Sequence, residues 1–94
     1  MNEVRTLLVV SRAHAETAFR LAEEMHKAGS KITILFTGRG THHTSDLELI
    51  RRLSYADLIT METEFDSPLD EVRAIGYGEF VRILEKCERT FSWI

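Results

Sequence analysis

The chain has 94 residues, 44% of them hydrophobic and 29% charged, with a formal net charge of −3. This composition excludes a disordered chain, and the length predicts a single domain over residues 1–94. The acidic balance argues against a direct nucleic-acid surface, while the single cysteine excludes an intramolecular disulfide and fits a reducing cytoplasm.

The first half of the chain alternates between strand and helix patterns. Residues 6–10 are a continuous apolar run, typical of a parallel strand buried on both faces. The run is far short of the ~18 residues of a membrane span, so we expect no membrane partner. In residues 14–28 the apolar positions follow one helical stripe, and Gly29 ends this predicted helix. Residues 31–37 are rich in β-branched and aromatic side chains and predict the second strand.

A polar loop over residues 38–44 leads to a short helix. Ser45 and Glu48 have the spacing of a capping box, which predicts that Ser45 caps this helix. Residues 56–62 predict the third strand. Ser67 followed by Pro68 predicts one further helical turn.

The last third of the chain repeats the alternation. Residues 72–75 predict a short fourth strand, and residues 90–94 predict the fifth. Between them, apolar side chains at helical spacing from Tyr77 to Cys87 predict the last helix. Strands separated by helices predict an α/β fold, here a three-layer α/β/α, Rossmann-like domain with a mainly parallel five-stranded sheet.

The candidate site lies in the loops that follow the strands. Ligands of open parallel sheets bind at the carboxyl ends of the strands, at the point where the strand order reverses. After the first and second strands, the candidate ligand-binding residues are Ser11, Arg12, His14, Gly38, Arg39, Gly40, Thr41, His42 and His43.

The Gly38-Arg39-Gly40-Thr41 stretch admits two interpretations. Its glycines permit positive φ, so successive amides can turn toward an anion while Arg39 adds positive charge. Residues 38–44 would then be a phosphate- or nucleotide-binding module, although they match neither a Walker loop nor a dinucleotide fingerprint. The simpler interpretation, which we favour, is a tight strand-to-helix turn whose glycines serve geometry alone.

The histidines also admit two interpretations. His14, His42 and His43, with Glu62, could form a metal site or a general-base pair in a small enzyme. Neighbouring loop residues usually diverge, however, and no two histidines have i,i+4 spacing, so we expect solvated loop histidines. We predict no catalytic residue, metal or cofactor. Cys87, on the apolar face of the last helix, is predicted to be a buried structural thiol.

Two stretches of the sequence resemble a known family. The first is residues 75–84, with Gly76-Tyr77-Gly78, running into Phe91-Ser92-Trp93; the second is residues 34–40. Together with the size and the order of elements, they resemble the DsrE/DsrF/DsrH sulfur-relay family. The C-terminal stretch is most similar to the small DsrH- or TusB-type members, whereas residues 34–40 are more similar to the DsrE side.

The resemblance implies a three-layer α/β fold and a cytoplasmic homo-oligomer, or a hetero-oligomer with DsrE/DsrF-like subunits. Such assemblies hand on sulfur, as a cysteine persulfide, toward tRNA thiolation or sulfur oxidation. DsrE-type members carry the persulfide cysteine just after the third strand, where this chain has Glu62-Thr63-Glu64. Because Cys87 lies in a different element, the sulfur-carrying role does not transfer to it. The resemblance therefore implies a non-catalytic subunit, with a small anion as its candidate ligand.

Overall fold

Strands alternate with helices along the whole chain. The structure, a computed structural model, describes residues 4–62 and 71–94. In these ranges the strands are β1 (Arg5–Val10), β2 (Lys31–Phe36), β3 (Asp57–Met61), β4 (Arg73–Ile75) and β5 (Arg89–Trp93). The helices are α1 (Glu16–Lys27), α2 (Leu47–Arg52) and α3 (Tyr77–Lys86), and a 3₁₀ segment spans Gly38–Ser45.

The five strands form one sheet in the order β4-β3-β2-β1-β5, and every pair of neighbours is parallel. Helices lie on both faces, which confirms the predicted three-layer α/β class. The predicted strands agree with the observed ones to within one or two residues. The helical turn predicted at Ser67-Pro68 lies outside the described residues.

The strand order reverses once. From β1 to β4 each strand is added on the same side of the preceding one, and α3 then returns the chain to the far side of β1. Because such crossovers are right-handed, this reversal moves the connecting helix to the opposite face of the sheet. Helices α1 and α2 therefore share one face, α3 lies on the other, and the switch point lies between β1 and β5.

The two faces of the sheet are covered unequally. On the α1 and α2 side, Phe19 and Ile50 of the helices pack against strand residues such as Phe36, and all three are at most 2% exposed. On the α3 side the buried cluster is smaller: Leu7, Leu35, Ile59 and Ile75. Helix α3 itself has no buried side chain, so it covers its face of the sheet only in part.

The connection from β2 to α2 differs from the prediction. Residues 38–44 form most of a 3₁₀ segment rather than an open loop, and Ser45 is still part of it. The Ser45 hydroxyl donates to the carbonyl of His42 at 3.2 Å, so it does not cap α2. The cap is Asp46, whose side-chain Oδ1 accepts the amide of Leu49 at 3.3 Å. The predicted capping box is therefore wrong, because the 3₁₀ segment delays the start of the helix by one residue.

Candidate functional site

A crevice of about 570 Å³ lies at the switch point, at the carboxyl ends of β1 and β5. Ser11, Arg12 and His14, which follow β1, contribute to its wall, and Arg39 of the 3₁₀ segment and Ile94 complete it together with Ala13. Four of the nine predicted ligand-binding residues therefore meet at one cavity, in the place where open parallel sheets bind ligands.

Ser11 and Trp93 hold the two sides of the crevice together. The amide and the hydroxyl of Ser11 both donate to the carbonyl of Trp93, at 3.0 and 3.3 Å. In return the indole Nε1 of Trp93 donates to the carbonyl of His14 at 2.9 Å. These bonds fix the loop after β1 against the end of β5, so the protein's own contacts hold the two walls of the crevice in place.

The crevice presents two guanidinium groups and no carboxylate side chain. Arg12 and Arg39 are both exposed, and none of the six described lining residues is Asp or Glu. Ion pairs within the described ranges involve Arg20, Arg52 and Arg73 only. Arginine is suited to oxyanions because its planar N–H fork binds two oxygens at once. The arrangement is therefore able to hold a small anion.

The two glycines of the 3₁₀ segment have different structural roles. Gly38 has a φ of +54°, in the left-handed region that glycine adopts readily. At Gly40 the constraint is space, because an added Cβ would lie 2.0 Å from the carbonyl oxygen of Val10. The Gly40 amide donates to the carbonyl of Thr37 at 2.8 Å, so it is not turned toward an anion. The turn interpretation accounts for both glycines, and it places Arg39 between them at the crevice.

Thr41 is held within the 3₁₀ segment rather than at the crevice. Its hydroxyl donates to the carbonyl of Gly38 at 2.8 Å, and its carbonyl accepts from the hydroxyl of Thr44 at 2.6 Å. These local bonds replace helical ones in a short segment rich in small polar residues. Gly38, Gly40, Thr41, His42 and His43 are not among the lining residues of the crevice.

The His42-His43 pair is divided between solvent and core. His42 is exposed, as predicted for a loop histidine, but His43 is only 8% exposed and the same prediction is wrong for it. The 3₁₀ geometry turns His43 inward, where it packs edge-on against Phe19 with ring centroids 5.1 Å apart. Its Nε2 bonds the carbonyl of Arg12 at 2.9 Å. Burial is the main cause that lowers the pKa of His43, so the neutral ring connects the second loop to the first.

The metal-site alternative gains no support from the geometry. Within residues 4–62 and 71–94, no three His, Cys, Asp or Glu side chains are grouped closely enough to hold a metal ion. His43 uses Nε2 on the Arg12 carbonyl, and Glu62 follows β3, which is separated from β1 by β2. The four side chains of that hypothesis are thus not assembled.

Cys87 lies at the opposite end of the molecule from the crevice. It follows α3 and precedes β5, and its half-buried side chain packs against the smaller core cluster. Burial raises the pKa of the Cys87 thiol, which favours the unreactive protonated form. The predicted buried structural thiol is therefore half-buried, and it belongs to the packing under α3.

The sequence patterns did not predict Ile94 as a site residue, nor did they predict that Trp93 holds the site together. Both follow from β5 lying beside β1, which is a property of strand order.

None of the helices in the described parts of the chain has the length and apolar content needed to cross a membrane. Comparison with protein-family models, with curated proteins and with solved structures gives no match.

Proposed function

We propose that this chain is a non-catalytic subunit of a cytoplasmic sulfur-relay assembly of the DsrE/DsrF/DsrH type, similar to its TusB-type members, and that it binds a small anion at the switch point. The observation that carries the proposal is the crevice that Arg12 and Arg39 line without a carboxylate side chain among its described lining residues. An oxyanion of sulfur or phosphorus matches this charge and size.

The cysteine chemistry supports a non-catalytic role. The end of β3 and the Glu62-Thr63-Glu64 stretch that follows it in the sequence contain no cysteine. The single thiol, on Cys87, is separated from the crevice by the length of the sheet, and its pKa is raised by burial. A persulfide carrier needs a thiol that ionises readily, and burial opposes ionisation at Cys87.

The surface around β5 supports a role in an assembly. This strand is at an edge of the sheet, and an edge strand offers unpaired backbone groups to another chain. Phe91 of β5 is 38% exposed, and Ile94 beyond β5 is 76% exposed. Apolar side chains beside an open edge suit contact with a second subunit, either another copy or a DsrE/DsrF-like chain.

Thermal unfolding with added anions tests the ligand. Thiosulfate at ~100 times its Kd should stabilise the protein by ~2.7 kcal/mol, and this gain should vanish in the Arg12→Gln, Arg39→Gln double variant. The bond from His43 is to the backbone of Arg12, so the variant keeps it. Arg51→Gln, at an exposed arginine of α2, is the matched control. Stabilisation by nucleotides but not by thiosulfate or phosphate would favour a nucleotide-binding module instead.

Two measurements test the assembly. Light scattering should show an oligomer, or pull-down should capture a DsrE/DsrF-like subunit; a monomer at all concentrations without a captured partner contradicts the proposal. In an assembly with a persulfide-loaded DsrE-type partner, the rate at which the partner hands its sulfur to an added acceptor thiol should be the same with the wild type and with Cys87→Ser. A loss of transfer in Cys87→Ser would show that the subunit is catalytic after all.

A further inference from the structure

A second cavity, of about 340 Å³, lies at the amino ends of the strands, under the C-terminal half of α3. It is at the opposite end of the sheet from the switch-point crevice and shares no residue with it. Thr33 of β2 and Ile83 of α3 contribute to its wall. It exists because α3 covers its face of the sheet only in part, leaving a recess between the helix and the first residues of the strands.

Positive charge is concentrated around this cavity. Five of its lining residues are basic and two are acidic, in a chain whose net charge is −3. Both acidic residues, Asp57 and Glu79, form ion pairs with the same arginine, Arg73. The other four basic residues make no ion pair with any residue in the described ranges: Arg5, Lys31, Arg82 and Lys86.

The basic side chains are placed where they repel one another. Arg5 and Lys31 are directly opposite partners in the β1–β2 ladder, so their side chains leave the sheet on the same face at neighbouring positions. Arg82 and Lys86 are four residues apart on α3 and occupy neighbouring positions on the helix surface. Like charges in either arrangement are destabilising. Two such pairs around one cavity break a local rule of stability, as functional sites do.

We propose that this cavity binds a small polyanion of the diphosphate class. The two carboxylates on Arg73 leave one negative charge in excess, so the lining as a whole carries +3, and an anion with two or more negative charges is needed to offset it. A recess of this volume admits a diphosphate but not a folded partner. Guanidinium groups of Arg5 and Arg82 supply bidentate contacts to phosphoryl oxygens, and the ammonium groups of Lys31 and Lys86 add point charge. The proposal is independent of the anion assigned to the switch-point crevice.

Cys87 provides a built-in reporter for this cavity. It is the single cysteine of the chain and one of the lining residues. Pyrophosphate bound there should shield the thiol, so the rate of alkylation by uncharged iodoacetamide should fall at least fivefold at saturating pyrophosphate. Sulfate at equal ionic strength should not reproduce the effect. Equal protection by sulfate would assign the effect to ionic strength and overturn the proposal.

The test variant is Arg5→Gln with Lys31→Gln, and the control is Lys27→Gln with Arg51→Gln, which removes the same charge from α1 and α2 on the other face. Within each variant, alkylation rates with and without pyrophosphate are compared, because removing Arg5 also changes the basal reactivity of Cys87. Protection should be lost in the test variant and kept in the control.

Thermal unfolding without ligand separates a binding role from a structural one. The test variant should have a higher Tm than the wild type, because one repulsive pair has been removed. A lower Tm would show that the two cations serve stability and would overturn the proposal. Protection by a single-stranded RNA oligonucleotide but not by pyrophosphate would also overturn it, in favour of a nucleic-acid surface. The Arg12→Gln, Arg39→Gln variant should keep its protection, so failure at one site is distinguishable from failure at the other.

Discussion

The close approach of Gly40 to β1 makes a strong prediction about stability. A Cβ at position 40 would lie 2.0 Å from the carbonyl oxygen of Val10 and 2.7 Å from its carbonyl carbon. Contacts under 3.0 Å are essentially never found for real Cβ atoms, so the 3₁₀ segment and the end of β1 must separate by about 1 Å. Both partners are backbone atoms, and neither can turn away as a flexible side chain does.

We therefore expect Gly40→Ala to lower the free energy of unfolding by about 3 kcal/mol, at the upper end of the range for overpacked cores. For a domain of this size that corresponds to a fall in Tm of roughly 12–24 °C. Because total stabilities are about 5–15 kcal/mol, the variant should still fold at low temperature. It should also bind thiosulfate less well, since the displaced segment carries Arg39, a lining residue of the switch-point crevice.

Gly78→Ala is the matched control for this substitution. A Cβ at Gly78, in the first turn of α3, meets no atom within 4 Å, and its φ is not positive. Alanine has a higher helix propensity than glycine, so the free energy of unfolding of this variant should rise by about 0.5 kcal/mol. Urea unfolding of both variants measures the difference. If Gly40→Ala is as stable as the wild type, the close packing of the 3₁₀ segment on β1 is refuted.

Three further predictions follow from single contacts. Burial holds the pKa of His43 below 6.5, so the contribution of the neutral ring to stability is complete above that pH and is lost as the pH falls through the folded-state pKa. The urea midpoint should therefore fall more between about pH 8 and pH 5 in the wild type than in His43→Gln. Asp46→Ala should lower the free energy of unfolding by about 0.5–2 kcal/mol, because the cap bond from the Leu49 amide to the Asp46 side chain is lost. An equal loss in Ser45→Ala would show that Ser45 caps α2, as the capping box predicts. Iodoacetamide should alkylate Cys87 more slowly in the native protein than in urea, and equal rates would contradict its packing under α3.

The two cavities lie at opposite ends of one sheet. At the carboxyl ends, the loops after β1 and β2 and the end of β5 form the crevice, as in other open parallel sheets. At the amino ends, cations come from the first residues of β1 and β2 and from the last turns of α3. The polyanion proposed there would occupy no part of the crevice and would lie against α3, the helix that joins β4 to β5.

Local sequence patterns were sufficient to predict the strands and the main helices, but not the 3₁₀ segment. The apolar stripe of α1 and the β-branched residues of β2 are properties of neighbouring residues, and they predicted both elements and the parallel α/β class. The Ser45 cap failed because two residues in succession, Ser45 and Asp46, are both suited to capping. The choice between them depended on where the 3₁₀ segment ends, and tertiary packing on β1 decides that.

The sequence by itself determined the strands and the main helices to within one or two residues, and it placed Ser11, Arg12, His14 and Arg39 after strands at one edge of the sheet, but it did not show the 3₁₀ segment. Only the tertiary structure decided which of those loops meet, because strand order arises from packing between residues far apart in the chain. Trp93 reaches the crevice because β5 pairs with β1, and Arg5 opposes Lys31 because β1 and β2 share a register. Neither contact leaves a periodic signal, since each joins segments separated by a helix or by most of the chain.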